Sequence, residues 1–307
     1  MNVQDRQGLA LGFAGVAIFA LTLPMTRLAV GTPAAPLMSG WFIAFGRAAI
    51  AGLLSIAFLL ATRAARPRRA DWAPLALTAA GVVFGFPLFS SLALRYVEAV
   101  HASVIIGALP LATALVGALL HRQRPSVGFW LCGSAGSALV ILYALLKSGN
   151  GVALHFADLL LLAAVACAAV GYGYGARLSQ RMRAEHVICW ALVLSLPLTA
   201  PLALWTAPRA AVPASAWFAF GYVALFSMWI GFFAWYRGLA LGGTVRVSQV
   251  QLVQPFLSML FAVPLLGERL DALTLFFALA VLATVFAGKK MPVHAAPRRP
   301  HVSLEQA

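Results

Sequence analysis

Ten apolar segments divide the chain into two sets of five, and each segment is long enough to cross a bilayer. A hydrocarbon core of about 30 Å requires roughly 20 helical residues. Because five is an odd number, the second set enters the membrane from the side opposite to the first. Related halves of opposite orientation recur in secondary transporters, which bind substrate near the membrane midplane between the halves. The pattern predicts an all-α integral membrane protein, with ten transmembrane helices arranged as two inverted five-helix repeats around a central cavity.

The predicted helices, here called spans 1 to 10, are joined by short connections that leave no room for a soluble domain. Residues 1–150 form the first five-helix repeat, residues 151–290 form the second, inverted one, and residues 291–307 form a basic, Pro-rich tail that we expect to be disordered and cytoplasmic. The predicted spans are residues 8–30, 39–61, 72–94, 101–120, 126–146, 157–179, 186–205, 215–237, 247–266 and 271–288.

Composition excludes a soluble domain, because only 10% of the 307 residues are charged, against about 25% in soluble proteins. The net charge of +14 resides in short connections between spans, so we predict no nucleic-acid partner. Cys132, Cys167 and Cys189 lie within spans and lack the spacing of metal ligands. We therefore predict no disulfide, no metal site and no cofactor.

The distribution of Lys and Arg predicts the orientation of the spans. If the N-terminus is inside, sixteen of the 22 basic residues lie on the inner side and four on the outer side, while Arg27 and Arg47 fall within spans. Basic residues accumulate on the cytoplasmic side of membrane proteins. This bias predicts that both termini are cytoplasmic. The four outer residues are Arg95, Lys147, Arg209 and Arg269.

The repeat becomes visible when Pro110 of span 4 is placed on Pro255 of span 9. His101-Ala-Ser103 then meets Arg246-Val-Ser248, and Arg124 meets Arg269. A central proline thus occurs at equivalent positions in both halves, and each of these spans is followed by a basic connection.

These motifs resemble those of the drug/metabolite transporter superfamily, in its ten-helix EamA-type exporter branch. The pattern of that branch, a helix with a central Pro that closes on Gly-Glu-Arg-Leu, is matched by Leu252–Pro255 and Gly267–Leu270. The first half departs from it, because Gln123 stands where the motif has Glu. Within the branch, the chain is most similar to YddG-type amino-acid exporters of bacterial inner membranes. The resemblance implies a multi-pass inner (plasma) membrane protein, and we expect a monomer surrounded by membrane lipid.

Arg47 is the first candidate for substrate binding. It lies eight residues into span 2, about 12 Å deep at 1.5 Å per residue, and charge at that depth usually has a function. None of the eight carboxylates lies in the middle of a span. Two interpretations stay open. Arg47 attracts a substrate carboxylate, or it donates to helix carbonyls or extends to the membrane surface.

Aromatic residues in spans 6 and 8 are the second group of candidates. Trp229 lies in the middle of span 8, and Phe232 and Phe233 follow it at helical spacing. Tyr172 and Tyr174 occupy the equivalent half of span 6. These rings form either a cavity wall, which packs an apolar or aromatic substrate and faces an ammonium group, or ordinary contacts between helices.

Span 9 carries a polar face made of Ser248, Gln251, Gln254 and Ser258, at spacings of three and four residues. Polar side chains within lipid must face protein or water, so this face is predicted to lie inside the bundle. We count Ser248, Gln251 and Gln254 among the substrate-binding candidates. Prolines within spans remove a backbone donor, and the predicted hinge or gating positions are Pro24, Pro110 and Pro255.

These observations predict a transporter or exporter of small amphipathic metabolites, with amino acids, including aromatic ones, as the first candidates, working by alternating access. The alternative is an efflux carrier for several drugs or cationic compounds, although such cations are commonly neutralised by a deep carboxylate. No cluster of nucleophiles and bases occurs in the spans, so we predict no catalytic residues and no enzyme. The six histidines lie at span ends, in loops or in the tail, which favours facilitated flux or exchange over a proton relay.

Overall fold

The computed structural model describes residues 3–120, 123–147, 155–242, 247, 249–291 and 293–295. Within these residues seven helices are long and apolar enough to cross a membrane, and three shorter apolar helices belong to spans 5, 9 and 10. The fold class predicted from the sequence, an all-α protein of ten helical spans, is confirmed. Short strands at Gln123–Pro125 and Val293–Ala295 are the remaining regular elements that are described.

Five spans are continuous helices, and five have breaks, changes of helix type or short 3₁₀ segments. The bounds in chain order are as follows: span 1, Val3–Ala20 and Thr22–Val30; span 2, Gly40–Ala61; span 3, Arg69–Asp71 (3₁₀), Trp72–Thr78, Ala79–Gly85 (π) and Phe86–Ala93; span 4, Ala99–Ile106 and Leu109–Leu120; span 5, Val127–Lys147; span 6, Phe156–Leu178; span 7, Ala184–Trp205; span 8, Ala214–Tyr222, Val223–Ile230 (π) and Gly231–Gly242; span 9, Gln249–Val253 (3₁₀) and Gln254–Leu266; span 10, Ala272–Lys290.

Contacts between the spans follow a pseudo-twofold pattern. Span 1 packs on span 8, and span 6 packs on span 3, so exchanging the halves converts one pair into the other. Spans 2 and 7, 4 and 9, and 5 and 10 pack on their own counterparts. The two halves are therefore interleaved, and the surfaces between them make up much of the protein interior.

A close glycine contact joins span 3 to span 6. A Cβ atom on Gly81 would clash with the carbonyl oxygen of Cys167, and one on Gly171 would lie 2.9 Å from the backbone nitrogen of Val82. Both of these atoms belong to the backbone, so they cannot move aside as the end of a flexible side chain can. Small residues at such positions let two membrane helices approach closely, so a larger side chain at either glycine would force spans 3 and 6 apart.

The short strands show which ends of the bundle lie together. Gln123–Pro125 pairs antiparallel with Val293–Ala295, with Arg124 opposite His294. The connection after span 4 therefore lies beside the segment after span 10. We call this end of the bundle the terminal side and the opposite end the far side.

The strand at Val293–Ala295 differs from the prediction that residues 291–307 are disordered. This segment reaches the backbone of Gln123–Pro125, and pairing gives its N–H and C=O groups partners. Residue 292 and residues 296–307 of the predicted tail lie outside the described residues.

Span 1 is interrupted where Pro24 removes a backbone donor. The carbonyl of Ala20, four residues earlier, would accept from the missing N–H of Pro24. Instead it accepts a hydrogen bond from the hydroxyl of Ser258 on span 9. The carbonyl of Ile18 accepts from Tyr222 of span 8 at 3.0 Å. The break in the first half is thus stabilised by side chains of the second half.

Candidate functional site

A small cavity lies between the two halves, at the level of the break in span 1. Its volume is about 20 Å³, which is room for about one water molecule. Six spans contribute to its wall, three from each half. The lining residues are Phe19, Thr22, Leu23, Arg47, Val82, Phe86, Ala168, Tyr172, Ser227, Phe232 and Gln254.

Arg47 supplies a positive charge to this cavity. Its side chain is only 2% exposed, and its Nη2 atom donates to the Ser227 hydroxyl at 3.3 Å. The Nε and Nη1 atoms are buried without a hydrogen-bond partner among the described residues. A buried guanidinium has five N–H donors, and leaving donors unpaired is costly. Among the described residues no helix carbonyl accepts from Arg47, so the guanidinium keeps two nitrogen atoms whose donors are unpaired there.

Two hydroxyls extend the polar side of the cavity. Ser227, in the π-helical part of span 8, lies 2.7 Å from the hydroxyl of Thr22 in span 1. Arg47, Ser227 and Thr22 therefore form a continuous hydrogen-bonded row that crosses between the halves. The π-helical segment Val223–Ile230 shifts the register of span 8 there, and such segments are frequent at functional sites.

Aromatic rings form another part of the wall. The Phe232 ring lies 5.0 Å from Phe19 and 6.1 Å from Tyr172, centroid to centroid, in edge-to-face arrangements. Tyr172 is 6% and Phe232 is 4% exposed. The wall of the cavity thus combines a cation and hydroxyls with aromatic surface.

The aromatic stripe predicted on span 8 is divided by the structure. Phe232 lines the cavity, whereas Trp229 and Phe233 pack on Phe58 of span 2, with ring centroids 6.0 and 4.9 Å from it. The π-helical segment before Phe232 changes which residues share a face. Tyr174 of span 6 is half-buried and is not part of the cavity wall.

On span 9, Gln254 reaches the cavity wall, and the rest of the predicted polar face is spread along the helix. Gln251, Gln254 and Ser258 are all buried inside the bundle, as their spacing predicts. Gln251 is 1% exposed, and both polar atoms of its amide lack partners within the described residues. Ser258 bonds to the break in span 1. Ser248 lies outside the described residues.

The three proline positions predicted as hinges each fall in the first turn of a helical segment that follows a break. Pro24 follows the break at Leu21, Pro110 follows Gly107 and Ala108, and Pro255 follows the 3₁₀ turn. A first turn tolerates proline because its N–H groups have no helical acceptor. A Cβ atom on Gly107 would lie 3.4 Å from Cγ of Pro255, so the breaks of spans 4 and 9 touch.

Sequence reasoning did not identify Ser227, Thr22 and Phe19 as site residues. Ser227 is a single hydroxyl among apolar and aromatic neighbours on span 8, and Thr22 lies two residues before Pro24. Isolated polar groups within spans must find polar partners, which is the signal that could have identified both hydroxyls. Phe19 carries no such signal, because its sequence neighbours are equally apolar.

Arg27, the second basic residue within a span, has a structural role. Its Nη1 atom donates to the carbonyls of Leu94 and Arg95 at the end of span 3, at 2.5 and 2.7 Å, and to Gly31 at 3.3 Å. These oxygens terminate helices and lack helical donors. Arg27 therefore joins the far ends of spans 1 and 3, and does not face the central cavity.

A further group of polar contacts between the halves lies at the far side. The imidazole Nε2 of His101 on span 4 lies 2.7 Å from the carboxylate of Asp158 on span 6, which is 1% exposed. Next to this pair, the Tyr143 hydroxyl lies 3.3 Å from that of Thr274. The sequence placed both His101 and Asp158 at span ends, but it did not indicate that they meet.

The Gly-Glu-Arg-Leu motif has a structural function at the same end. The two carboxylate oxygens of Glu268 accept from the backbone N–H groups of Ala99 and Val100, at 2.8 and 2.7 Å. A carboxylate is favourable at a helix N-terminus because of the free donors and the helix dipole. Burial raises the pKa of Glu268 above its ordinary value, and these two hydrogen bonds oppose the shift.

Two halves of five spans around a buried polar cavity define a multi-pass membrane carrier built from a repeat. The sequence pattern of the EamA-like transporter family matches the chain twice, at residues 6–146 and 155–287. The chain belongs to this family, and it is a membrane transporter.

Known proteins support this assignment. The uncharacterized transporter YdeK of Bacillus subtilis (strain 168) is 44% identical over 281 residues, which cover 91% of this chain and 96% of that protein. One protein with a solved crystal structure is 20% identical in sequence to this chain. The two structures superpose over 92% of this chain and 96% of that chain, with a TM-score of 0.62. The latter likeness concerns the fold alone.

Proposed function

We propose that this protein exports small amphipathic metabolites that carry a carboxylate, with amino acids, including aromatic ones, as the first candidates. The observation that carries the proposal is the buried Arg47 guanidinium, whose Nε and Nη1 donors are unpaired within the described residues and which lines the central cavity. A carboxylate accepts two parallel N–H bonds from such a group. Tyr172 and Phe232 offer an aromatic surface to the remainder of the substrate.

The size of the cavity implies that binding is coupled to movement. Ligand pockets for small molecules usually measure about 300 to 1,000 Å³, whereas this one measures about 20 Å³. Substrate entry therefore requires the halves to separate on one side. The breaks of spans 1, 4 and 9 are where the helices are least constrained by their own hydrogen bonds, so we propose that bending occurs at Pro24, Pro110 and Pro255 during alternating access.

The bias in the basic residues supports cytoplasmic termini in an inner membrane, and hence entry of substrate from the terminal side. A cationic drug is a poorer candidate substrate, because the charge closest to the cavity is that of Arg47. Two carboxylates at the far side, Asp158 and Glu268, are already engaged by His101 and by the start of span 4.

Counterflow into liposomes that contain the purified protein tests this proposal. The panel is a set of labelled amino acids, a neutral analogue without the carboxylate, and one cationic dye. Arg47→Gln is expected to weaken binding of carboxylate substrates about tenfold to a hundredfold, the effect of losing a hydrogen bond to a charged group. Transport of the neutral analogue should change little. Equal loss for all substrates would assign Arg47 a structural role, and dye flux without amino-acid flux would favour drug efflux.

Two neighbouring phenylalanines provide a matched control for the aromatic wall. Phe232→Leu removes a ring that lines the cavity, while Phe233→Leu removes one that packs on Phe58. Competition by aromatic amino acids should weaken in the first variant and persist in the second. If the two variants behave alike, Phe232 does not discriminate among substrates.

A further inference from the structure

On the terminal side, a large basic cavity lies between one loop of each half. Its volume is about 450 Å³. The connection between spans 2 and 3 contributes Arg63, Arg66 and Arg68, and the beginning of span 7 with its preceding loop contributes Arg181, Arg183 and His186. A second cavity of about 310 Å³ shares Arg68 and Arg181 with it, so the basic depression is continuous. It is separate from the central cavity around Arg47.

The carboxylates near this basic cavity are already engaged. Asp71, the one acidic residue in its wall, is 5% exposed, accepts from the backbone N–H of Arg68 at 3.2 Å and lies 4.0 Å from Arg181. Glu185, which directly precedes His186 in the sequence, is paired with Arg237 at 3.2 Å. Among the described residues, Arg63, Arg66 and Arg183 have no ion pair. Several guanidinium groups around one cavity repel each other, and a bound anion would offset this electrostatic repulsion.

The tendency of basic residues to stay on the cytoplasmic side explains why a loop contains arginines. It does not explain why these arginines surround a cavity. Arg63 ends span 2 with φ at +49°, a left-handed conformation that glycine normally adopts at this position. An arginine is therefore placed where helix termination alone would favour another residue. Its side chain lines the cavity beside the loop of the other half.

The position of the cavity relates it to the membrane. Trp190 lines it and lies 6.3 Å from Trp72, ring centroid to ring centroid, and tryptophans concentrate at membrane interfaces. Leu60, two residues before the cavity wall on span 2, is 73% exposed, and Leu194, one turn beyond Trp190, is 37% exposed. Apolar surface for acyl chains thus begins directly beside the basic cavity.

We propose that this cavity binds the headgroup phosphate of an anionic phospholipid from the leaflet at the terminal side. Arginine is the residue best suited to phosphate, because its planar donors form paired hydrogen bonds. Basic pockets between transmembrane helices on the cytoplasmic side bind such headgroups in other membrane proteins. A lipid held by Arg63 and Arg183 would join the two halves at that side. This inference is independent of the transported substrate.

The test is lipid binding to the purified full-length protein in neutral detergent, measured by native mass spectrometry. The probes are phosphatidylglycerol and phosphatidylcholine with the same acyl chains. The double variant Arg63→Gln with Arg183→Gln should bind phosphatidylglycerol about 10- to 30-fold more weakly than wild type, given the usual contribution of each basic side chain near anionic lipid. The matched control, Arg69→Gln with Arg177→Gln, removes one arginine near each loop outside the cavity wall and should stay within about twofold of wild type.

Further variants keep the result interpretable if the glutamine pair does not fold. The charge-preserving pair Arg63→Lys with Arg183→Lys should retain most binding, and the single Arg66→Gln should lose part of it. Equal losses in the cavity and control pairs, equal binding of both lipids, or loss in the lysine pair as large as in the glutamine pair would each overturn the proposal. Glycerol phosphate that binds as tightly as the full lipid would instead assign the cavity to a soluble anion.

Discussion

At the far side the two halves meet through buried and half-buried polar contacts, whereas at the terminal side they meet across an arginine-lined cavity. The far side has the His101–Asp158 pair and the bonds from Glu268 to the start of span 4. The terminal side has Asp71 and Arg181 at 4.0 Å, with Arg181 59% exposed. Exposed ion pairs contribute little to stability, and buried ones lose much when one partner is removed.

The difference indicates which end separates more easily. Opening the far side requires Asp158, which is 1% exposed, to give up its partner His101, which is 12% exposed. Opening the terminal side separates Asp71 from an arginine that is 59% exposed. Among the described residues, the ion pair between the halves is thus more deeply buried at the far side than at the terminal side, and we expect separation at the terminal side to be the less costly movement. If the proposed export function and cytoplasmic termini hold, that is the side on which substrate would enter.

The largest expected effect comes from Asp158→Ala. It leaves His101, which is 12% exposed, without its carboxylate partner, and we expect a loss of about 3 kcal/mol in the free energy of unfolding. Denaturant unfolding in detergent measures this loss. Asp158→Asn is the control, since it keeps an oxygen for His101 and should lose less. An unchanged stability in Asp158→Ala would mean that the pair does not hold the far side closed.

Glu268→Gln should have an intermediate effect, about 1 kcal/mol at neutral pH, because each carboxylate oxygen accepts one backbone bond. Burial raises the pKa of Glu268 above its ordinary value of 4.5, with a further increase from Glu98 and a decrease from the backbone bonds and Arg27.

A raised carboxyl pKa means that the folded state binds the proton more tightly than the unfolded state. Wild-type stability then increases as the pH falls through the raised value toward 4.5, and the variant lacks this increase. The stability difference between the two proteins should therefore be larger at about pH 5 than at about pH 7.5. A smaller difference at the lower pH would show that the backbone hydrogen bonds lower the pKa of Glu268 by more than burial raises it.

The smallest effect is expected at the terminal side, from Arg181→Gln. The pair with Asp71 is long and its arginine is exposed, so stability should change by less than about 0.5 kcal/mol. Unfolding measured under the same conditions as for Asp158→Ala gives a direct comparison. A loss similar to that of the far-side variant would remove the contrast between the two ends.

Hydrophobicity alone predicted the ten spans to within a few residues, since a membrane helix must be apolar over a fixed length. The predicted hinge prolines also coincide with observed breaks, because the missing N–H acts locally. For example, span 2 was predicted at residues 39–61 and is Gly40–Ala61. The position of Arg47 in the interior likewise follows from the cost of exposing charge to lipid.

The side-chain pairs across the halves could not be predicted in this way. When a helix is apolar all round, periodicity does not state which face points inward, so Trp229 and Phe232 were treated alike although only Phe232 reaches the cavity. The carboxylate of Asp158 is near a span end in the sequence, yet it is 1% exposed. Depth along a helix and burial within a bundle are separate properties, and the second depends on the packing partners.

The central cavity has a consequence for the energy supply of the cell. Proton leakage through a membrane protein requires a continuous file of hydrogen-bonded water, and a space of about 20 Å³ holds roughly one molecule. Arg47 adds a fixed positive charge at that point, which disfavours passage of a hydronium ion, as an arginine does in selective water pores. A carrier with so small an interior space is therefore expected to let few ions leak across its membrane while it is closed, so that a cell can keep it in place at little cost to its ion gradient.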